Sequence, residues 1–374
     1  MNGTSERVIP GLEGVLACES SVAFIDGTIP ELSYRGYDIH DIAETLTYEQ
    51  VIYLLWNSEL PSSTEWQAFT ADLASRRSVP PAVIDLLRII PTAGHPMAAL
   101  RTAISLLGTL DPEAEDRSPT ALRRKAADLV AKIPTIVAAQ ARLQQGHLPI
   151  EPDLGLSLAG NYYYMLTGKQ PDATITRTLD TTLTLYAEHE TNASTFACRV
   201  VVGTESDYYS AVVAGIGAIK GPLHGGAIDE VMHMFLEIDQ PERAAGYVDV
   251  ALAARRRISG FGHRVYRAGD ARAPHLRSMA QRLAESTGER KWFAIATAVE
   301  QRVREAKGII ANVDYYAAPV LYYLGFPLNL FTNVVASARI SGWSAHIFEQ
   351  YANNRLIRPR ALYTGKRGRK LPRK

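Results

Sequence analysis

Only two of the 374 residues are cysteine, Cys18 and Cys198, and neither lies in a CxxC or metal-like spacing. A disulfide framework is therefore not expected, and a reducing cytoplasm fits. No uninterrupted apolar run of membrane length occurs. The most apolar region, residues 309–331, carries Asp314, Pro319, Pro327 and two Tyr-Tyr pairs, so it reads as a buried helix followed by a turn. Met1 to Arg7 lack a basic start leading into an apolar stretch, and no secretory signal is expected. There is no GxxxxGK[ST] phosphate loop. Gly215-Ile216-Gly217 lacks a correctly spaced third glycine, because Gly221 comes one residue late. That discounts a dinucleotide loop. His189-Glu190 begins like a zinc-binding HExxH, but position 193 is alanine, which speaks against metal-assisted hydrolysis. No metal is expected.

Excess charge is also missing. The net charge is +1, yet it is unevenly placed. Residues 355–374 hold nine of the 40 basic residues and no acid. The remaining 31 basic residues face 39 acidic ones, a net of −8. An acidic body argues against general nucleic-acid binding. The basic segment Gly365 to Lys370 reads as a solvated, frayed terminus.

Apolar residues make up 47% and charged residues 21% of the chain, as in ordinary globular proteins. Helical periodicity dominates. Tyr48, Val51, Ile52, Leu54 and Leu55 share one face of a helix expected to end near Pro61. Residues 121–143 repeat the pattern, with Pro134 as an expected kink. Residues 178–202 are apolar on most sides and predict one long, central, buried helix. Helices are also expected over 208–219, 293–306 and 334–351. Strand signals are few: residues 15–25 and 32–35 predict a small hairpin around Asp26-Gly27. The fold class is mostly α. Glycines at 221–226 and the Gly325-Phe326-Pro327 turn bracket about a hundred residues. They make plausible hinges for a second, lid-like domain over 226–325, against a larger one over 1–225 and 326–374.

Three segments carry chemistry. In Gly221-Pro222-Leu223-His224-Gly225-Gly226, the glycines permit tight turns and close approach to a ligand. If a helix starts there, its dipole favours a neutral imidazole, able to donate to a carbonyl that becomes an enolate. The alternative is a histidine that satisfies a loop carbonyl. In Gly260-Phe261-Gly262-His263, two glycines free backbone amides, and Arg264, Arg267 and Arg272 follow. Arginine forks match carboxylates and phosphates. The alternative is a basic surface loop. Asp314 in Asn312-Val313-Asp314 sits inside an apolar run. Desolvation there raises a carboxylate's basicity, as a base acting on carbon requires. Asp also favours a helix N-cap.

Together with His189-Glu190-x-Asn192-Ala193-Ser194 and Gly262-His263-Arg264-Val265-Tyr266, these motifs make the chain resemble the citrate synthase family almost end to end. The resemblance implies a helical homodimer whose small domain closes over oxaloacetate. It also implies condensation of acetyl-CoA with oxaloacetate, with coenzyme A thioester as substrate and no further cofactor. By position, Asp314 would take the methyl proton and His224 would bond the thioester oxygen. His263 would polarise the ketone, assisted by His189. Arg272 and Arg339 would hold the carboxylates, joined by Arg358 from the neighbouring subunit. Arg267 and the loop from Ile258 through Gly260 to Gly262 would meet coenzyme A. A 2-methylcitrate synthase, which uses propionyl-CoA, shares all these motifs. A paralogue retained only for binding is a further rival. Val335, Ile228, Ala98 and Ala311 depart from the usual family pattern.

Overall fold

The computed structural model describes residues 8–372. Sixteen α-helices lie among them. The first ten are α1 (Ile39–Thr45), α2 (Tyr48–Asn57), α3 (Ser63–Ser75), α4 (Pro81–Ile89), α5 (Pro96–Leu110), α6 (Pro119–Gln144), α7 (Leu158–Thr167), α8 (Ala173–Tyr186), α9 (Ala193–Gly203) and α10 (Tyr208–Ile219). Then come α11 (Ala227–Ile238), α12 (Ala244–Ala253), α13 (Ala273–Thr287), α14 (Lys291–Lys307), α15 (Val313–Tyr323) and α16 (Phe331–Ala352). None of the described helices is long and apolar enough to cross a membrane.

The element at the centre is α16. Nearly all of it is buried, Trp343 and Ile347 as well as Arg339, Ser341 and His346. It packs on α2, α6, α8, α9 and α10. Helices α11 and α13 both pack on α15, and α12 packs on α14.

The single central helix expected over 178–202 is instead two, α8 and α9, broken at residues 187–192. Glu190 takes a left-handed φ of 52°. Asn192 then caps α9, its Oδ1 accepting from the amides of Ser194 and Thr195. The apolar pattern continues across the break because both flanks are buried, so periodicity alone hides it. By contrast, α6 runs through Pro134 as one helix.

The expected hairpin is a three-stranded antiparallel sheet, β1 (Ala23–Asp26), β2 (Glu31–Tyr34) and β3 (Tyr37–Asp38). The first strand begins at Ala23, not Val15. Ala23 pairs with Tyr34 and Asp26 with Glu31. Arg35 and Gly36, both at positive φ, turn the chain into β3. Gly27 is glycine for a packing reason: a Cβ there would lie 2.2 Å from the carbonyl oxygen of Val265. The Arg267 amide donates to the Gly27 carbonyl at 2.8 Å. This contact seats the sheet on the loop that carries His263.

Candidate active site

The site is assembled from five places in the chain. His189 lies in the break between α8 and α9, His224 just before α11, and His263 and Tyr266 between α12 and α13. Asp314 is the second residue of α15, and Arg339 is mid-way along α16. The structure brings them together. The rings of His189 and His263 are 5.1 Å apart. His189 Nε2 is 3.3 Å from the Tyr266 hydroxyl.

His263 has a defined tautomer. Its Nδ1 accepts from the amides of Val265 (3.0 Å) and Tyr266 (3.1 Å). Both partners can only donate, so the neutral ring carries its proton on Nε2. Burial, reinforced by Arg272, pushes its pKa down to about 4. His263 is therefore an uncharged Nε2–H donor at neutral pH.

His224 is neutral as well, its pKa pushed down to about 3 by burial and secondarily by Arg339. The helix that follows starts only at Ala227, so desolvation is the leading cause rather than a helix dipole. Its Nε2 lies 2.8 Å from Ser194 Oγ. That hydroxyl also meets Asn192 Oδ1 (2.8 Å) and Trp343 Nε1 (3.1 Å). The ring is held at one edge, and Nδ1 remains for a ligand; it carries the ring proton when Ser194 turns its single proton from Asn192 Oδ1 to His224 Nε2. His189 is pushed well below the ordinary histidine value by burial, then by Arg272.

Asp314 is buried, and burial raises its pKa to about 6 against the lowering effects of Tyr186 and Arg272. The N-cap of α15 is Asn312, whose Oδ1 accepts the Asp314 amide at 3.1 Å. Asp314 is thus relieved of capping, and its carboxylate is left for the site. Asn312 also donates to the Gly262 carbonyl at 3.0 Å. That bond ties the His263 loop to the helix that presents Asp314.

Arg272 is buried and grips Asp270 bidentately, Nε to Oδ1 at 2.9 Å and Nη2 to Oδ2 at 2.8 Å. Asp270 Oδ2 further accepts the Val313 amide at 3.0 Å. Arg339 donates Nε to the Tyr186 carbonyl at 2.7 Å. Its Nη1 is buried without a partner among the described residues. Two buried guanidiniums, one with an uncommitted donor, suit a carboxylate-bearing ligand.

The expected coenzyme-binding residues divide. Arg267 is exposed and Ile258 buried. At Gly260 (φ 83°) a Cβ would come within 2.6 Å of the Tyr315 ring, and its carbonyl accepts the Asn312 amide at 2.9 Å. Gly260 is therefore required by packing and by its left-handed backbone. Gly262 (φ 79°) borders open space. Arg358 is exposed on the segment after α16.

Sequence reasoning passed over Tyr186, whose hydroxyl donates to Asp314 Oδ1 at 2.7 Å. A tyrosine at the end of an apolar helix, three residues before His189, was the available signal. It also gave no role to Asp270 and Ser194.

The arrangement offers a carboxylate of raised basicity, two neutral imidazoles and two buried guanidiniums in one place. A family model described as "Citrate synthase, C-terminal domain" matches residues 11–360. A Bacillus subtilis protein named Citrate synthase 2 is 48% identical over 357 residues, 95% of each chain. A Corynebacterium glutamicum 2-methylcitrate synthase 1 is 40% identical over 367 residues, covering 97% of this chain and 96% of that one. Among solved structures, the citrate synthase of Thermoplasma acidophilum, in ternary complex with carboxymethyl coenzyme A and oxaloacetate, superposes with a TM-score of 0.94. It is 32% identical, over 98% of each chain. By sequence and by fold, this chain belongs to the citrate synthase family, enzymes that transfer an acyl group.

Proposed function

We propose that the protein condenses acetyl-CoA with oxaloacetate and water to give citrate and coenzyme A. One observation carries this reading: a base of raised pKa, Asp314, shares a site with two imidazoles kept neutral by burial. Asp314 takes a proton from the acetyl methyl group. His224 donates a hydrogen bond to the thioester oxygen as it becomes an enolate oxygen. The enol carbon attacks the ketone of oxaloacetate, whose oxygen receives the Nε2–H of His263. Water then cleaves the citryl thioester, releasing the thiol. Such positioned donors act where charge develops and need no reorganisation. Arg272 and Arg339 hold the carboxylates, with His189 beside them.

The same reading assigns Arg358 to the partner's site in a homodimer, and Arg267 with residues 258–262 to coenzyme A. It treats 226–325 as a lid on a body made of 1–225 and 326–374, with the glycines at 221–226 and 325 as hinges. Two free cysteines suit a reducing cytoplasm. Propionyl-CoA is the second reading, favoured by the 2-methylcitrate synthase relatives at 39–41% identity.

Thiol release measured with acetyl-CoA and with propionyl-CoA, each with oxaloacetate, tests both. The expected result is a higher kcat/KM for acetyl-CoA. A higher value for propionyl-CoA transfers the assignment to 2-methylcitrate. No release with either thioester leaves a binding role and refutes the enzymatic reading.

A further inference from the structure

We infer that the Glu188 carboxylate is the resident counter-ion of Arg339, oriented from behind by Arg199 and His346, and that it sets how tightly the arginine pair holds a dicarboxylate. This rests on the reading above only in naming the ligand of Arg272 and Arg339.

Glu188 is fully buried, in the break between α8 and α9, directly before His189. Its carbonyl accepts the Tyr34 hydroxyl at 2.9 Å, which fixes the backbone. Its Oε1 lies 2.9 Å from Nε2 of His346, also fully buried. Behind that ring, Arg199 Nε and Nη2 point at His346 Nδ1 from 3.1 and 2.8 Å. A guanidinium can only donate. His346 Nδ1 is therefore the acceptor, the ring proton sits on Nε2, and it is donated to Glu188. The direction of the chain, arginine to imidazole to carboxyl oxygen, is fixed by the end that cannot accept. A carboxylate is the natural terminus of such a chain.

The second oxygen, Oε2, is buried and has no hydrogen-bond partner among the described residues. Helix α16 leaves a notch for it. A Cβ on Gly342 would lie 2.1 Å from Oε2 and 2.4 Å from the Ala187 carbonyl oxygen. The Gly342 amide instead donates to that Ala187 carbonyl at 3.1 Å. Gly342 stands three residues after Arg339 on the same helix, hence on the same face. Arg339 in turn bonds the carbonyl of Tyr186, two residues before Glu188. The arginine and the carboxylate thus belong to one packed contact between α16 and residues 186–188.

The charges need this arrangement. Arg272 has its own carboxylate in Asp270. Among the described residues Arg339 has no ion pair of that kind, and its Nη1 is unpartnered. Glu188 is the strongest opposite charge acting on it, while Arg272 acts as a like charge. A buried cation left without an anion is strongly destabilising. Glu188 therefore stabilises the empty site. The same negative charge opposes an incoming dianion. Removing it leaves the arginines more attractive to a dicarboxylate and less stable without one.

The test is a thermal double-mutant cycle on the free protein with Glu188→Gln, Arg339→Gln and the two together. Gln keeps an oxygen for the His346 proton and removes the charge. The expected result is a lowered Tm for Glu188→Gln, most of which returns when Arg339→Gln is added. If Glu188→Gln alone is insoluble, the second substitution should restore soluble protein. An additive cycle, or no restoration, overturns the counter-ion. Titration of the Glu188→Gln protein with oxaloacetate, followed by intrinsic fluorescence, should give a dissociation constant at least threefold lower than the parent's. A merely loosened site gives an unchanged or higher constant, and that outcome overturns the proposed control of affinity. The cycle uses no ligand. Failure of oxaloacetate to bind the parent would therefore sink the substrate reading while the cycle still decides the ion pair.

Discussion

Replacing Tyr186 with phenylalanine should move the acid limb of the pH–rate profile upward. In the parent, burial raises the Asp314 pKa to about 6, and the Tyr186 hydroxyl, 2.7 Å from Oδ1, holds it from rising further. A hydrogen bond to a charged group is worth about 1.5–3 kcal/mol, and one pKa unit is about 1.4 kcal/mol. Loss of the bond therefore raises the pKa by about one to two units, to between about 7 and 8. The base works only when ionised, so activity is lost as pH falls through this pKa. At pH 7 the ionised fraction should drop from ~90% to between ~50% and ~10%. The rate at pH 7 falls roughly two- to tenfold and recovers as the pH approaches 9. The bond from Arg339 to Tyr186 uses the backbone carbonyl, so the substitution leaves the anion-binding arginine in place. The measurement is thiol release at saturating substrates from pH 5.5 to 9. A limb that stays put, or moves to lower pH, refutes either the hold of Tyr186 on Asp314 or the assignment of the limb to Asp314.

Three further outcomes follow from the same geometry. Asp314→Asn should cut turnover about a hundred- to ten-thousand-fold while oxaloacetate still binds. Because the folded-state pKa of Asp314 is raised, its ionisation costs stability as pH rises from about 4 through about 6, so this variant should melt higher than the parent at pH 7.5, by at most about 3 kcal/mol; turnover within threefold of the parent ends the base assignment. Asp180 is likewise raised, to about 7, by burial and then by Glu49, so the parent loses stability as pH rises from about 4 through about 7. Asp180→Asn keeps an acceptor for the Tyr48 amide and should gain on the order of 1–3 kcal/mol above pH 7 and nothing below pH 4, read from denaturant midpoints. Arg358→Ala should raise the oxaloacetate requirement without unfolding the chain. Mixed with Asp314→Asn in tag-verified heterodimers, it should restore about half the activity per dimer, because one site then carries both defects and the other none; inactive verified heterodimers show that Arg358 does not act across an interface.

The local signals were those a single helix carries with it. Residues 208–219 form α10 with the expected bounds, because its apolar face and its cap, Asp207 accepting the Ser210 amide, lie within one short stretch. Composition argued against a disulfide framework, and Asp314, offered as a possible N-cap, lies two residues past the actual cap, Asn312. Glycines and histidines at 224 and 263 marked the loops that reach the site. Beyond the set of site residues that the family resemblance grouped, long-range relations were not legible. Tyr186 meets Asp314 across 128 residues, and Glu188 meets His346 across 158. No periodicity joins such positions, since each chain segment is patterned by its own burial. The break in 178–202 was hidden for the same reason, as both helices are buried on either side of it. The protonation states were likewise decided only by the fold. A histidine's letter is the same on a surface as in a core, and only packing removes the water that stabilises the charged ring, which lowers the pH at which His224 and His263 take up a second proton.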